Sequence, residues 1–192
     1  AEMADQLQAD LDINTTALLQ LPGTAKRPSG ENRANNVVVM GVNEAFWKLA
    51  LKPPEFVRIP EDSIVLNERL ANQLDVKKGN MVNLRVHNPS QLSRDAPMAP
   101  IEDSTASLAQ LEVLAIVSDA EFGRFSLQAS QVPPYNACVS LDQLQEAIEK
   151  PAMANLMLVG QAQAPAKSPT LGQAQAALAR HWQLADAQAQ LL

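Results

Sequence analysis

The stretch SIVLNERLANQLDVKKGNMVNLRV, Ser63 to Val86, constrains the fold more tightly than any other part of the chain. Val65 and Leu66 read as a strand. Asn67 stands where an N-cap is needed, because its side-chain oxygen can accept an amide that the first helical turn leaves without a partner. Leu70 and Leu74 lie one turn apart on a single helix face. Gly79, between Lys78 and Asn80, offers the positive φ that a reversal requires. Val82, Leu84 and Val86 then alternate with Met81, Asn83 and Arg85, which predicts a strand with one buried and one wet face. Strand, capped helix, glycine turn and strand thus follow one another here with few residues between them.

The neighbouring segments supply further elements. Met3, Leu7 and Leu11 recur at steps of four and predict a short amphipathic helix. TTALLQLPG reads as a strand ended by Pro22 and Gly23, and TAKRPSGENRANN has the content of an exposed loop. NVVVMGV is apolar on both faces, as in a central strand. Asn43 can cap the helix NEAFWKLA, in which Phe46 and Ala50 share a face. After the Pro-rich LKPPEFVRIPED and the Ser63–Val86 unit, residues 87–110 show neither helical nor strand period and read as a long loop, either mobile or used. LEVLAIVSD is an apolar strand, and AEFGRFSLQASQVPP is irregular. YNACVSLDQLQEAIEK predicts a strand and a helix capped by Ser140 or Asp142, with Leu141, Leu144 and Ile148 as its stripe. ANLMLVG is a last strand. A linker follows, then a helix opened by Ser168 and Pro169 and running through TLGQAQAALARHW. The final residues carry no stop signal, so the chain is expected to belong to a longer protein. No internal repeat is visible.

The 192 residues and 46% hydrophobic content suit one substantial core or two small subdomains. With 21 acidic against 15 basic side chains, and Lys and Arg scattered along the chain, nucleic acid is not the expected partner. No window approaches the run of about 20 apolar residues that crosses a bilayer. Cys138, the single cysteine, reads as a buried inert thiol in NACVSL.

Residues with chemical capacity are few. The two histidines, His87 and His181, sit in unrelated contexts and read as surface or capping groups. Asp119 and Glu121 in SDAEFG could form an acid and base pair or a cation site if a strand persisted there, but a solvated turn is the simpler reading. Glu102 and Asp103 read as solvating a loop. There is no phosphate-binding glycine loop, so nucleotide binding is not expected. Asn14 opens an NTT glycosylation pattern, which is common by chance. Phe125 reads as a core plug, while Phe122 is open between core and contact roles. No catalytic, cofactor-binding or metal-binding residue is expected.

Double-psi barrels of molybdopterin enzymes and of AAA ATPase substrate domains use phrases similar to the Ser63–Val86 unit. More specific is the order VVVMGV, NEAFWKLA, SIVLNERLANQLDVKKGNMVNLRV, LEVLAIVSDAEFGRFSLQASQVPPYNACVSLDQLQ and ANLMLVG. From about Ala17 to Gly160 this resembles the extracytoplasmic domain of FtsX-like and MacB-like ABC transporter permeases. That resemblance implies an α+β fold, with a mixed-sheet porter-like subdomain from residues 1–62 and 136–192 and an inserted, small β-rich, Sabre-like subdomain over 63–135 carrying the long loop 87–110.

It also implies a membrane-embedded parent on the periplasmic side of the inner membrane, a cytoplasmic ABC ATPase partner, transport or mechanotransmission as the work done, and no catalysis in this domain. An envelope protein, lipid or peptide would be the substrate or partner, and a dimeric parent is compatible with it. HNPSQLSRDAPMAPIEDS is not part of the shorter MacB pattern. Arg94, Asp95, Met98, Phe122, Arg124 and Phe125 are the candidate contact residues. The alternatives are a small β-barrel substrate- or cofactor-binding module of a soluble enzyme and, more remotely, an unattached periplasmic binding protein.

Overall fold

In the computed structural model, residues 6, 7, 9, 10, 14–28, 30, 32–56, 58–88, 105–127, 129–160 and 170–182 are described. Among them, seven strands and four α-helices follow one another: β1 (Thr15–Lys26), β2 (Arg33–Val42), α1 (Glu44–Trp47), β3 (Ser63–Asn67), α2 (Glu68–Leu74), β4 (Met81–His87), β5 (Thr105–Val117), a 3-10 turn (Asp119–Glu121), β6 (Tyr135–Ser140), α3 (Leu141–Ala147), β7 (Leu156–Val159) and α4 (Leu171–His181). Gln6, Leu7, Ala9 and Asp10 are also helical. The class is mixed α+β, dominated by one sheet.

Six of the strands close into a barrel. Their order is β2-β6-β3-β5-β4-β1, and β1 pairs back to β2. Strands from each of the stretches 1–62, 63–135 and 136–192 enter this one closed sheet. Exchanging β1, β2, β3 for β4, β5, β6 leaves the pairing pattern unchanged. β1–β2 and β4–β5 are antiparallel, β2–β6 and β3–β5 are parallel, and the antiparallel pairs β1–β4 and β3–β6 map onto themselves. Polar capping residues follow the same exchange: Asn43 and Ser118 come directly after β2 and β5, and Asn67 and Ser140 stand at the N-caps of α2 and α3. Topology therefore repeats where the sequence shows no repeat, because pairing needs only the period of apolar residues and not their identity.

Alternation fills the barrel. Leu19, Leu21, Val37, Val39, Ile64, Leu66, Val82, Leu84, Leu111, Val113 and Val139 point inward at 2% exposure or less, and Leu70, Leu74, Leu144 and Ile148 of the α2 and α3 segments pack into the same cluster. Each such aliphatic side chain contributes roughly 1.5–3 kcal/mol of burial. A second cluster lies on the opposite face of β2, β3, β5 and β6, where Met40, Val42, Val65, Val117 and Cys138 meet Phe46, Trp47 and Ile59. NVVVMGV is thus buried on both faces, as expected of a central strand.

Three sequence boundaries move. β1 does not end at Pro22 and Gly23 but runs on to Lys26. Pro22 lies past the reach of β7, which ends at Leu18, and before that of β4, which begins at Gly23, so β1 has a neighbour on one side only where its N–H is missing. Gly23 is needed by close approach: a Cβ there would stand 2.6 Å from the Arg85 carbonyl oxygen. Likewise β2 begins at Arg33, inside the expected loop. β5 begins at Thr105, so the last six residues of the expected loop 87–110 are strand. A register shift between Val82 and Leu84 hides the period there: Gln110 takes φ +57°, and its N–H donates to Asn83 Oδ1 at 2.7 Å. Residues 89–104 lie outside the described residues, and so do Met3, Leu11, Ser168 and Pro169. α4 is capped by Thr170 and Gln173.

Candidate functional site

The sequence-predicted contact residues Phe122, Arg124 and Phe125 fall on the segment that follows β5, and it is built from caps. Ser118 donates its N–H and Oγ–H to Glu121 Oε2 at 3.0 and 2.7 Å. Those two donors, the backbone one first, hold the Glu121 carboxyl below its usual range. Glu121 is thereby a capping group, not one half of an acid and base pair with Asp119. Asp119 instead reaches Arg124 at 4.0 Å, both largely exposed, an ion pair of little energetic weight.

Phe122 turns left-handed at φ +67°, and Gly123 N–H donates to the Ser118 carbonyl at 2.9 Å. A Cβ on Gly123 would stand 2.6 Å from Val117 O and 2.7 Å from Ser118 O, so only glycine permits this turn. The turn lays Phe122 and Phe125 on Phe46, with ring centroids 4.9 and 5.5 Å away, and leaves Arg124 exposed between them. Phe46 continues to Trp47 at 5.1 Å and Trp47 to Phe56 at 5.0 Å. Both phenylalanines are half-buried and pack on the outer cluster.

Two buried asparagines hold the segment to the barrel. Asn67 Nδ2 donates to the carbonyls of Gly123 (2.8 Å) and Pro134 (2.9 Å), while its Oδ1 accepts from Leu70 N–H at 3.0 Å and Asn136 N–H at 3.3 Å. Asn136 Nδ2 donates to Gly123 O (3.2 Å) and Phe125 O (2.8 Å). Holding both bonds leaves Asn136 Oδ1 buried without a hydrogen-bond partner among the described residues. The cap at Asn67 was legible in the sequence, but its second task was not. The available signal was a pair of asparagines, in IVLNE and PYNACV, at the ends of otherwise apolar strands, where a buried amide must find partners.

The remaining candidates are dispersed. His87 ends β4, half-buried opposite Thr105. His181 Nε2 lies 3.0 Å from Asp10 Oδ2, which also meets Arg180 at 3.4 Å. The His181 contact, more than Arg180, holds the Asp10 carboxyl below its usual range. Cys138 is fully buried, and desolvation pushes its thiol up to about 12. Among the described residues no group of three or more His, Cys, Asp or Glu is placed to hold a metal ion. Arg94, Asp95, Met98, Glu102 and Asp103 lie outside the described residues. What the 118–136 arrangement supports chemically is recognition: an exposed guanidinium framed by half-buried aromatics, on a backbone fixed by buried amides. The sequence matches no protein-family model and no curated protein.

Proposed function

We propose that this chain is the non-catalytic extracytoplasmic domain of an FtsX-like ABC transporter permease, which contacts an envelope protein, lipid or peptide and couples cytoplasmic ATP hydrolysis to work in the cell envelope. One observation carries the reading beyond the resemblance. The chain enters the sheet at β1 and leaves it at β7 as adjacent antiparallel strands: Thr15 lies opposite Val159, and Gly160 N–H donates to Asn14 O at 2.7 Å. Beyond them, Asp10 and the Arg180–His181 pair touch as well. A domain inserted between two membrane helices must begin and end at one surface, and this geometry suits that requirement. The resemblance's division into porter-like and Sabre-like parts does not enter this reading, since β3, β4 and β5 pair with β6 and β1 in one barrel. Arg124 with its flanking phenylalanines is the contact surface in the proposal.

The closed barrel with interlocked halves favours a second reading, a substrate- or cofactor-binding module of a soluble enzyme. Its interior is filled by apolar side chains, which leaves binding to the outer surface in either case. Thiol labelling separates the two. Leu51 is 94% exposed, whereas Cys138 is buried and stays protonated. In spheroplasts of the native cell, the full-length protein carrying Leu51→Cys should react with a membrane-impermeant maleimide before lysis. Reaction only after lysis would overturn the permease reading and leave the soluble module.

A further inference from the structure

The basic residues are scattered in the sequence, yet three of them meet on the outer wall of the barrel. Lys26 lies directly opposite Arg33 across β1–β2, and Thr24 lies opposite Arg85 across β1–β4. Arg85 is in turn opposite Ser107 across β4–β5, and Lys26 opposite Asn83. These six residues line one depression of about 280 Å³, with Leu84, Leu108 and Ala109 completing it and no acidic side chain in its lining among the described residues.

Like charges set opposite one another on a sheet face repel and destabilise it. Other arginines avoid that situation: Arg27 meets Asp75, Arg124 meets Asp119 and Arg180 meets Asp10. Lys26, Arg33 and Arg85 have no ion pair among the described residues. The neutral groups around them also point toward donation. Asn83 Oδ1 is occupied by Gln110 N–H, which leaves the Asn83 amide hydrogens for a ligand, and Thr24 and Ser107 add hydroxyls. In a chain of net charge −6, a concave site lined by three cations and three neutral donors is a local reversal of the overall field.

We propose that this wall of β2, β1, β4 and β5 binds a phosphate-type oxyanion, with Lys26 as a point charge, Arg33 and Arg85 as forked donors and Asn83, Thr24 and Ser107 completing its hydrogen bonds. A phosphoryl group of a lipid headgroup and a free phosphate share this chemistry. The inference stands apart from the permease reading, since binding is measured on the 192-residue chain itself.

The test is calorimetric titration of that chain at low salt with inorganic pyrophosphate, beside flotation with phosphatidylcholine vesicles that do or do not contain phosphatidylglycerol. Saturable pyrophosphate binding that weakens about 100-fold in the double variant Lys26→Gln, Arg85→Gln, and about tenfold in Arg33→Gln alone, supports a free phosphate ligand. Flotation only with phosphatidylglycerol, lost in the same double variant, supports a lipid headgroup. Lys48→Gln, exposed after α1, should bind like the wild type in both arms. The three replaced side chains are exposed, and removing their mutual repulsion should leave the melting temperature of the ligand-free variants unchanged or raised. Absence of binding in both arms overturns the proposal, as does equal binding by wild type and double variant.

Discussion

Replacing Asn67 by alanine tests the structure at its most heavily used side chain. Asn67 is 4% exposed and makes four hydrogen bonds, two as donor to Gly123 O and Pro134 O and two as acceptor from Leu70 N–H and Asn136 N–H. Loss of the helix cap costs about 1 kcal/mol. The buried Gly123 carbonyl and the half-buried Pro134 carbonyl each lose a donor, at about 1 kcal/mol each, although Gly123 O keeps its bond from Asn136 Nδ2. The sum is about 3 kcal/mol, a large fraction of the 5–15 kcal/mol that holds a typical domain together. Urea denaturation should show a lower midpoint with an unchanged slope, and thermal unfolding a fall of roughly 6–12 °C.

Asn67→Asp separates the two roles. It keeps the capping oxygen but sets a carboxylate beside two carbonyls, so its folded-state pKa is raised above the unfolded value. The folded state then binds the proton more tightly, and the stability of this variant should rise as pH falls through the folded pKa, with the gain complete below the unfolded one. A midpoint for Asn67→Ala within about 0.5 kcal/mol of wild type would refute the latch, because an exposed or redundant side chain behaves that way.

Gly23→Ala should destabilise by about 1–3 kcal/mol in the same denaturation assay, since its Cβ meets the Arg85 backbone oxygen, which cannot swing aside as a side chain would; wild-type stability would contradict the tight β1–β4 contact. Glu121, whose folded pKa is lowered by Ser118, contributes stability that is present above its unfolded pKa and lost as pH falls through the folded one. The melting temperature of wild type should therefore drop more steeply on acidification below about pH 5 than that of Glu121→Gln; parallel curves would show that the capping box does not hold in solution.

Local chemistry made part of this molecule legible. Asn67 caps α2, Gly79 takes φ +84°, and Val82, Leu84 and Val86 are buried while Met81 and Arg85 are exposed. Leu141, Leu144 and Ile148 bury as a stripe. Each of these depends on residues no more than a few positions apart, where capping, left-handed backbone and apolar period act. The misjudged boundaries have equally physical causes. Pro22 is tolerated because of where β7 stops and β4 starts, and the Gln110 bulge breaks the period of β5, so a local reading ends one strand early and starts another late.

Of the candidate contact site, the sequence marked Phe122, Arg124 and Phe125 as residues of interest but not the means by which they are held. Asn136 fixes the Gly123 and Phe125 carbonyls from a distant strand, and Phe46 accepts both rings from the helix after β2. No local pattern reports such partners.

What this sequence determined by itself is therefore its inventory of strands, caps and turns, together with the faces that must leave water. Which strand meets which was decided only by the tertiary structure. Every strand offers the same N–H and C=O groups along its edge, so pairing is chosen by how the buried faces fill a common interior. Closure of that barrel joined Asn67 to Asn136, and on its outer wall it set Lys26, Arg33 and Arg85 around one depression that no stretch of the sequence contains.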